Sequence, residues 1–288
     1  MAGRQSALQR LGKNSISAKD IANQAWCEKQ MELYIMNPMP TPAMEKGAAF
    51  HEVKKAEVFV PLTVEPYTWP DRIYKGAYEN CTSLASLARN GVCRELKVYG
   101  SLNGFRISGQ IDELKMHEHK VTIIEDKTLS GYSGSQSVRA KPDMIQVSLY
   151  KKLLDDMASS RYTFDNFANA YGLESMVLSK EFVKGLESIG VRKELMTLRQ
   201  ICKVMFGDLA SLPPVSSTLE IRYFERGSGQ MISEMKINYN SEETDEWIKY
   251  AMRYWTGERE AQPVPESEKW KCKMCKFFGK QCTVWWGK

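Results

Sequence analysis

Three short runs, CRELKVYG, FRISGQIDEL and KVTIIEDKT, follow one another between residues 93 and 128. LNG joins the first two and the polar KMHEH stretch joins the second pair, so together they predict an antiparallel meander. Side chains alternate faces along a strand, so Glu125 and Lys127, two residues apart, leave the same face. A hairpin through KMHEH brings Asp112 roughly opposite Glu125. Two carboxylates and an ammonium then meet on one patch. Oxygen ligands at that density suit Mg²⁺ or Mn²⁺, which keeps open positions for a phosphate. The lysine is placed to orient an attacking water or to stabilise charge on a phosphorane-like transition state. An isolated ExK is an ordinary solvent-facing pattern, so the weight falls on its surroundings. Gly109 lets backbone approach a ligand closely before Asp112. Gln146 and Tyr150 lie four apart on one helix face beside Ile145, Leu149 and Leu153. His51, in GAAFHEV, offers a nitrogen ligand.

Around the meander the pattern is helical. Ser17 caps a helix through SISAKDIANQAWCEKQMELYIM with Asp20 three residues on, and further helices are expected over 43–59 and 72–91. A Gly/Ser loop leads into DMIQVSLYKKLLDDM, and residues 155–212 read as a mostly helical insertion that grips substrate. PVSSTLEIRYFE and QMISEMKINYN suggest a second strand pair, and a helix from Ser241 to Trp255 ends at Gly257. The fold class is α/β, a mixed central sheet with helices front and back. Residues 1–14 read as a frayed basic segment, and 15–288 as a single domain.

Composition excludes little but directs the search. There is no internal repeat and no apolar run near the roughly 20 residues that span a bilayer. Net charge is +5 and pI about 8.7, compatible with a polyanionic partner. Lysines concentrate from Lys269 to the end, six of them with no acid, and a second basic stretch, GYSGSQSVRAK, contains Arg139 and runs to Lys141. Arg139 and Lys141 are therefore candidate phosphate contacts. Seven cysteines and no signal-peptide pattern point to a reducing intracellular compartment, where cysteines serve as ligands or core and not as disulfides. Three stand in CKMCKFFGKQC, Cys272, Cys275 and Cys282, bracketed by Trp270 and by Trp285 and Trp286. A closed thiolate site wants four ligands, and no histidine follows His119.

The order of these motifs carries a resemblance. His51, GQID with Asp112, EDK with Glu125 and Lys127, and QVSLY with Gln146 and Tyr150 resemble the RecB-type branch of the PD-(D/E)xK nucleases. AWCEKQ near the start, with YWTGEREAQPV and WKCKMCKFF…C near the end, resembles its iron–sulfur subset, and within that the exonuclease V family. The likeness runs from about residue 15 to 286. It implies a PD-(D/E)xK (RecB-like) core with a C-terminal iron–sulfur clasp at 269–286. His51, Asp112 and Glu125 would be ligands of Mg²⁺ or Mn²⁺, with Lys127 catalytic and Gln146 and Tyr150 in support. A [4Fe–4S] cluster would be held by Cys27, Cys272, Cys275 and Cys282. Cys81, Cys93 and Cys202 sit in apolar patterns and read as core. Glu125 stands where many relatives carry Asp, which keeps the charge and adds a methylene.

The implied activity is exonucleolytic hydrolysis of single-stranded DNA in repair or genome maintenance. The implied protein is a monomer in the nucleus or mitochondrion of a eukaryote, working alongside single-strand-binding proteins. A CRISPR-adaptation nuclease of the same branch shares the clasp, but YWTGERE and QVSLYKKL favour the exonuclease V family. Spacing alone leaves open a four-cysteine zinc site and with it a non-catalytic nucleic-acid binder, whose Trp270, Phe277, Trp285 and Trp286 would stack bases. Such a binder has no reason to keep Asp112, Glu125, Lys127 and Gln146 in nuclease order.

Overall fold

The computed structural model describes residues 5–129 and 136–284. Six strands form one mixed sheet: β1 (Ile16–Ser17), β2 (Val92–Leu102), β3 (Phe105–His117), β4 (Lys120–Leu129), β5 (Thr218–Glu225) and β6 (Met231–Asn238). β3 is the spine. β2 runs antiparallel along one edge, and the other edge takes β4 at one end and β1, in parallel, at Ile107 and Ser108. β5 joins β4 in parallel and β6 closes antiparallel on β5, so the meander and the second strand pair make one sheet. Asn103 and Gly104, both at positive φ, make the tight turn that LNG predicts.

Helices cover the sheet where local chemistry stops and starts them. α1 (Ala7–Arg10) is followed by α2 (Ala18–Met36), which opens on the reciprocal Ser17–Asp20 capping box. α3 (Pro42–Lys55) is capped by Thr41 and carries proline in its first turn, and α4 (Trp69–Asn90) ends at Gly91 in the left-handed region. α5 (Gln136–Ala158) starts seven residues before the expected Asp143. Proline normally marks a boundary because it lacks an N–H, yet here Pro142 is carried inside the helix at the loss of one backbone bond.

α5 lies close on β2 and β3 because two glycines admit it. A Cβ on Gly100 would stand 2.5 Å from Leu153 Cδ2, and one on Gly109 would stand 2.5 Å from Tyr150 Cε1. The close approach expected at Gly109 is thus filled by the Tyr150 ring, not by a ligand.

Three shorter helices follow, α6 (Phe164–Tyr171), α7 (Lys180–Ser188) and α8 (Leu198–Ala210). Phe167, Phe182, Leu186, Ile201 and Met205 from this segment are buried in the same core as Leu96, Ile107, Leu114 and Ile123 of the sheet. The mostly helical stretch is accordingly a layer of the core. α9 (Ser241–Trp255) buries Tyr254 and Trp255 completely. The described part of the segment expected to fray is also anchored: Ala7 is fully buried, and Arg10 pairs with Glu260 at 3.0 Å and Glu32 at 3.5 Å. No helix among the described residues is long and apolar enough to cross a membrane.

Candidate active site and cysteine cluster

The registers of the meander assemble the site. Glu113 pairs with Ile124, so one step further places Asp112 beside Glu125. On the opposite edge Arg94 pairs with Glu113 and Leu96 with Ile111, which sets Glu95 across from Asp112. Three carboxylates, Glu95, Asp112 and Glu125, stand in a row across three strands. Glu95 leaves the extended conformation there, at φ 60, where side chains other than glycine are strained. α3 delivers His51 from above, its Nδ1 3.7 Å from Asp112 Oδ1. Ligand atoms of His51, Glu95 and Asp112 all lie within 4.8 Å of one another, the only such trio of His, Cys, Asp or Glu among the described residues.

Glu125 is buried, and its two oxygens meet opposite fates. Oε1 accepts from Lys127 Nζ at 2.8 Å and from Gln146 Nε2 at 2.7 Å, while Oε2 is buried with no hydrogen-bond partner. The Gln146 amide is fixed on both sides: its Oε1 accepts from Lys127 at 3.0 Å, and its Nε2 also donates to Tyr150 Oη at 2.7 Å. Asp143 lies 3.6 Å from Lys127 and accepts from the Tyr223 hydroxyl at 3.3 Å. All five residues expected from EDK, GQID and QVSLY are therefore brought together, with His51 at the rim.

Crowding of carboxylates in a dry site sets the electrostatics. Burial, then the neighbouring Asp112 charge, pushes Glu125 up to about 8, with Lys127 pulling the other way. Burial also pushes Asp112 up to about 7 against the pull of Lys127. For Lys127, burial disfavours the ammonium, but Glu125, Asp143 and Asp112 more than offset it and raise its pKa above the ordinary value. The surrounding carboxylates thus favour the ammonium form of Lys127. A buried carboxylate oxygen without a donor, beside a His–Glu–Asp trio, fits a hard divalent cation.

Beneath the site runs a second network. Arg94 reaches Glu113 at 2.5 Å and Asp126 at 3.5 Å, and Arg222 on β5 reaches the same two carboxylates at 2.9 and 2.8 Å. The backbone N–H of Asp126 donates to Asp112 Oδ2 at 2.8 Å, so this buried set holds the strand that positions Asp112. Glu95, Asp143 and this network were not anticipated from the motifs. Counting residues back from the Asn103–Gly104 turn would have found Glu95, because the hairpin register alone places it against Asp112.

Elsewhere in the fold, Cys27, Cys272, Cys275 and Cys282 line one small cavity with Trp26, Leu33, Val264 and Phe278. α2 breaks at Cys27, whose backbone is extended at φ −169 and ψ 115, and the Cys27 sulfur accepts the Gln30 N–H at 3.4 Å. The thiol caps the second half of its own helix, as a serine would. Burial raises its pKa, and the approach of Cys275 and Cys282 adds to that. Around the cysteines the two chain regions are tied by Trp26 edge-on to Trp270 at 5.8 Å, and by Lys271 over the Trp26 ring at 4.6 Å. Glu28, buried, accepts both Arg259 amino groups at 2.5 and 2.6 Å and the Gln262 N–H at 2.8 Å.

The remaining cysteines fall elsewhere: Cys93 and Cys202 are wholly buried and Cys81 is half-buried in α4. Lys141 is exposed within α5, not in a loop, with its Nζ 5.6 Å from the Trp247 ring centre. The Arg139 side chain, Trp285 and Trp286 lie outside the described residues.

Comparison with known proteins bears on both ends of the chain. The family described as "Exonuclease V - a 5' deoxyribonuclease" matches residues 6–128, 115–197 and 191–286. Exonuclease V of Danio rerio is 25% identical over 283 residues, covering 94% of this chain and 71% of that protein. Among solved structures, that of SSO0001 superposes with a TM-score of 0.43 at 12% identity, covering 93% of this chain and 90% of the other.

Proposed function

This chain belongs to the exonuclease V family of deoxyribonucleases, and from that premise we propose a divalent-metal-dependent exonuclease of the PD-(D/E)xK (RecB-like) type acting on single-stranded DNA. Its place would be DNA repair or genome maintenance in the nucleus or mitochondrion. The observation that carries this reading is Glu125 Oε2, a buried carboxylate oxygen with no donor, next to a fixed ammonium and a His51–Glu95–Asp112 trio. These four residues would hold Mg²⁺ or Mn²⁺. When bound, the ion would polarise the phosphate and make water a better nucleophile.

The chain's own groups do the rest. Lys127, whose ammonium form its carboxylate neighbours favour, offers positive charge to the scissile phosphate as negative charge grows there. Gln146 locks Lys127 and Glu125 in one geometry and uses Tyr150 as its stop. Asp143 shares the lysine from the other side, and Arg139 and Lys141 are proposed as phosphate contacts further along the strand.

Cys27, Cys272, Cys275 and Cys282 would hold a [4Fe–4S] cluster as a structural closure. All four line one cavity, which is what a single group shared by them requires.

The test uses end-labelled single strands with Mg²⁺ or Mn²⁺. Glu125→Ala and Lys127→Ala are each expected to lose at least about 100-fold in rate, the scale of removing a pre-organised charge. Titration calorimetry with Mn²⁺ should separate them: binding is lost in Glu125→Ala and retained in Lys127→Ala. Equal cleavage by all three proteins, or none by the wild type, overturns the assignment.

A further inference from the structure

Next to the acidic site, on the other side of Tyr150, opens a cleft of about 630 Å³. Its walls come from β2 and β3, the loop before α2, the first turns of α4, and α6. Lys19, Arg72, Lys97 and Arg106 all line it, and no carboxylate does. That balance is unusual for a chain in which 35 acids face 40 lysines and arginines. Two of the cations are partly committed, Lys97 to Glu79 at 3.5 Å and Arg106 to the Asn14 carbonyl at 2.7 Å. Arg72 and Lys19 are exposed and enter no ion pair among the described residues. Trp69 stands at the mouth with half its surface exposed (52%), where burial would have been the ordinary fate of so large an apolar ring. Inside, Tyr171 is stacked on Phe167 at 4.3 Å with the Arg106 guanidinium 4.9 Å from its ring centre.

The cleft also connects to the chemistry. Gln110, in its lining, donates to Glu95, and Tyr150, in its lining, accepts from the Gln146 amide that holds Glu125.

We propose that this cleft seats unpaired nucleotides of the DNA strand adjoining the scissile phosphate, with Trp69 stacking a base and Arg72 and Lys19 holding phosphates. The assignment rests on the nuclease reading above and adds to it where the strand lies and what selects it. Aromatic faces beside isolated cations suit bases and backbone of a single strand, whose rings are free to stack. A volume of this size matches a ligand of a few hundred cubic ångströms, so a few unpaired nucleotides enter and a stacked duplex does not. Selection for single strands then follows from the shape of the cleft and not from base identity, since every base has a face to stack.

The experiment reads binding apart from cleavage. The full chain is titrated into a fluorescein-labelled oligothymidylate of about a dozen nucleotides, in EDTA, and anisotropy is followed over a range of salt. Trp69→Ala is expected to weaken binding about fivefold or more, Trp69→Phe to keep most of it, and Arg72→Ala to reduce the slope of log K against log salt by about 0.7. A blunt duplex of the same length should compete poorly. Both side chains are exposed, and an unchanged Tm confirms that each variant is folded. Unchanged affinity in Trp69→Ala and Arg72→Ala, or a duplex competing as well as the single strand, overturns the cleft. If that happens while the wild type still cleaves, the nuclease reading stands without it. If binding depends on Trp69 but no divalent ion elicits cleavage, the cleft stands and the nuclease reading falls.

Discussion

Glu125 concentrates the logic of the site in one side chain. One oxygen is satisfied twice and the other not at all, so the carboxylate is held in place and left wanting a cation. The imbalance has a pH signature. Asp112 and Glu125 bind protons more tightly when folded than when unfolded, at about 7 and about 8 against ordinary values of 3.8 and 4.5. Between those limits the folded state holds more protons, so this pair makes the metal-free protein less stable as pH rises. Calorimetric Tm without divalent ions should therefore fall between about pH 5 and about pH 8, and Glu125→Gln should flatten the fall. Added Mg²⁺ should raise Tm more at the upper end, where it no longer competes with protons. A Tm rising with pH in the wild type and in Glu125→Gln alike would contradict the coupling. Glu125 and Lys127 were legible because a strand has period two. Glu95 was passed over because its own stretch, CRELKVYG, reads as an ordinary strand and its left-handed backbone leaves no mark in residue type.

At the level of elements, strands are pinned more firmly than their hydrophobic pattern requires. Arg94 on β2 and Arg222 on β5 reach across to Glu113 and Asp126 on the two strands between, all beneath the acidic site. Removing one partner leaves buried charge uncompensated, so Arg94→Ala should cost about 3–5 kcal/mol in urea unfolding, whereas an exposed arginine such as Arg161 should cost little. Equal losses for the two would mean that the buried network carries no special strain. Such long-range ionic pairing is invisible in a linear pattern, since Arg94 and Arg222 alternate like solvent-facing residues. Capping is the opposite case: Ser17–Asp20 is local chemistry and the start of α2 follows from it, whereas the Thr68–Asp71 cap went unread and α4 begins at Trp69, three residues before the expected Arg72. The start of α5 does not follow from local chemistry, because Pro142, which reads in a sequence as a boundary, is carried inside the helix.

Across the whole molecule, both ends of the chain meet at one place. Cys27 and Glu28 of α2 face Cys272, Cys275, Cys282 and Arg259. With the proposed cluster at this place, Cys27→Ser and Cys282→Ser should each abolish iron and sulfide and loosen the same two segments, about residues 18–36 and 255–282, in amide exchange. Loosening confined to the mutated segment would show that the ends are not one unit. Spacing made the cysteine tail conspicuous but left its partner open, because three cysteines in a row say nothing about how far away a fourth lies; Cys27 came from the family resemblance. That separation has a further cost during synthesis. Arg259 and the last three cysteines leave the ribosome after every strand of the sheet has emerged, so the contacts of Cys27 and Glu28 with them form only once nearly the entire polypeptide has been made. Translation halted shortly before Cys272 would yield a chain with all of its acidic site and none of its closure.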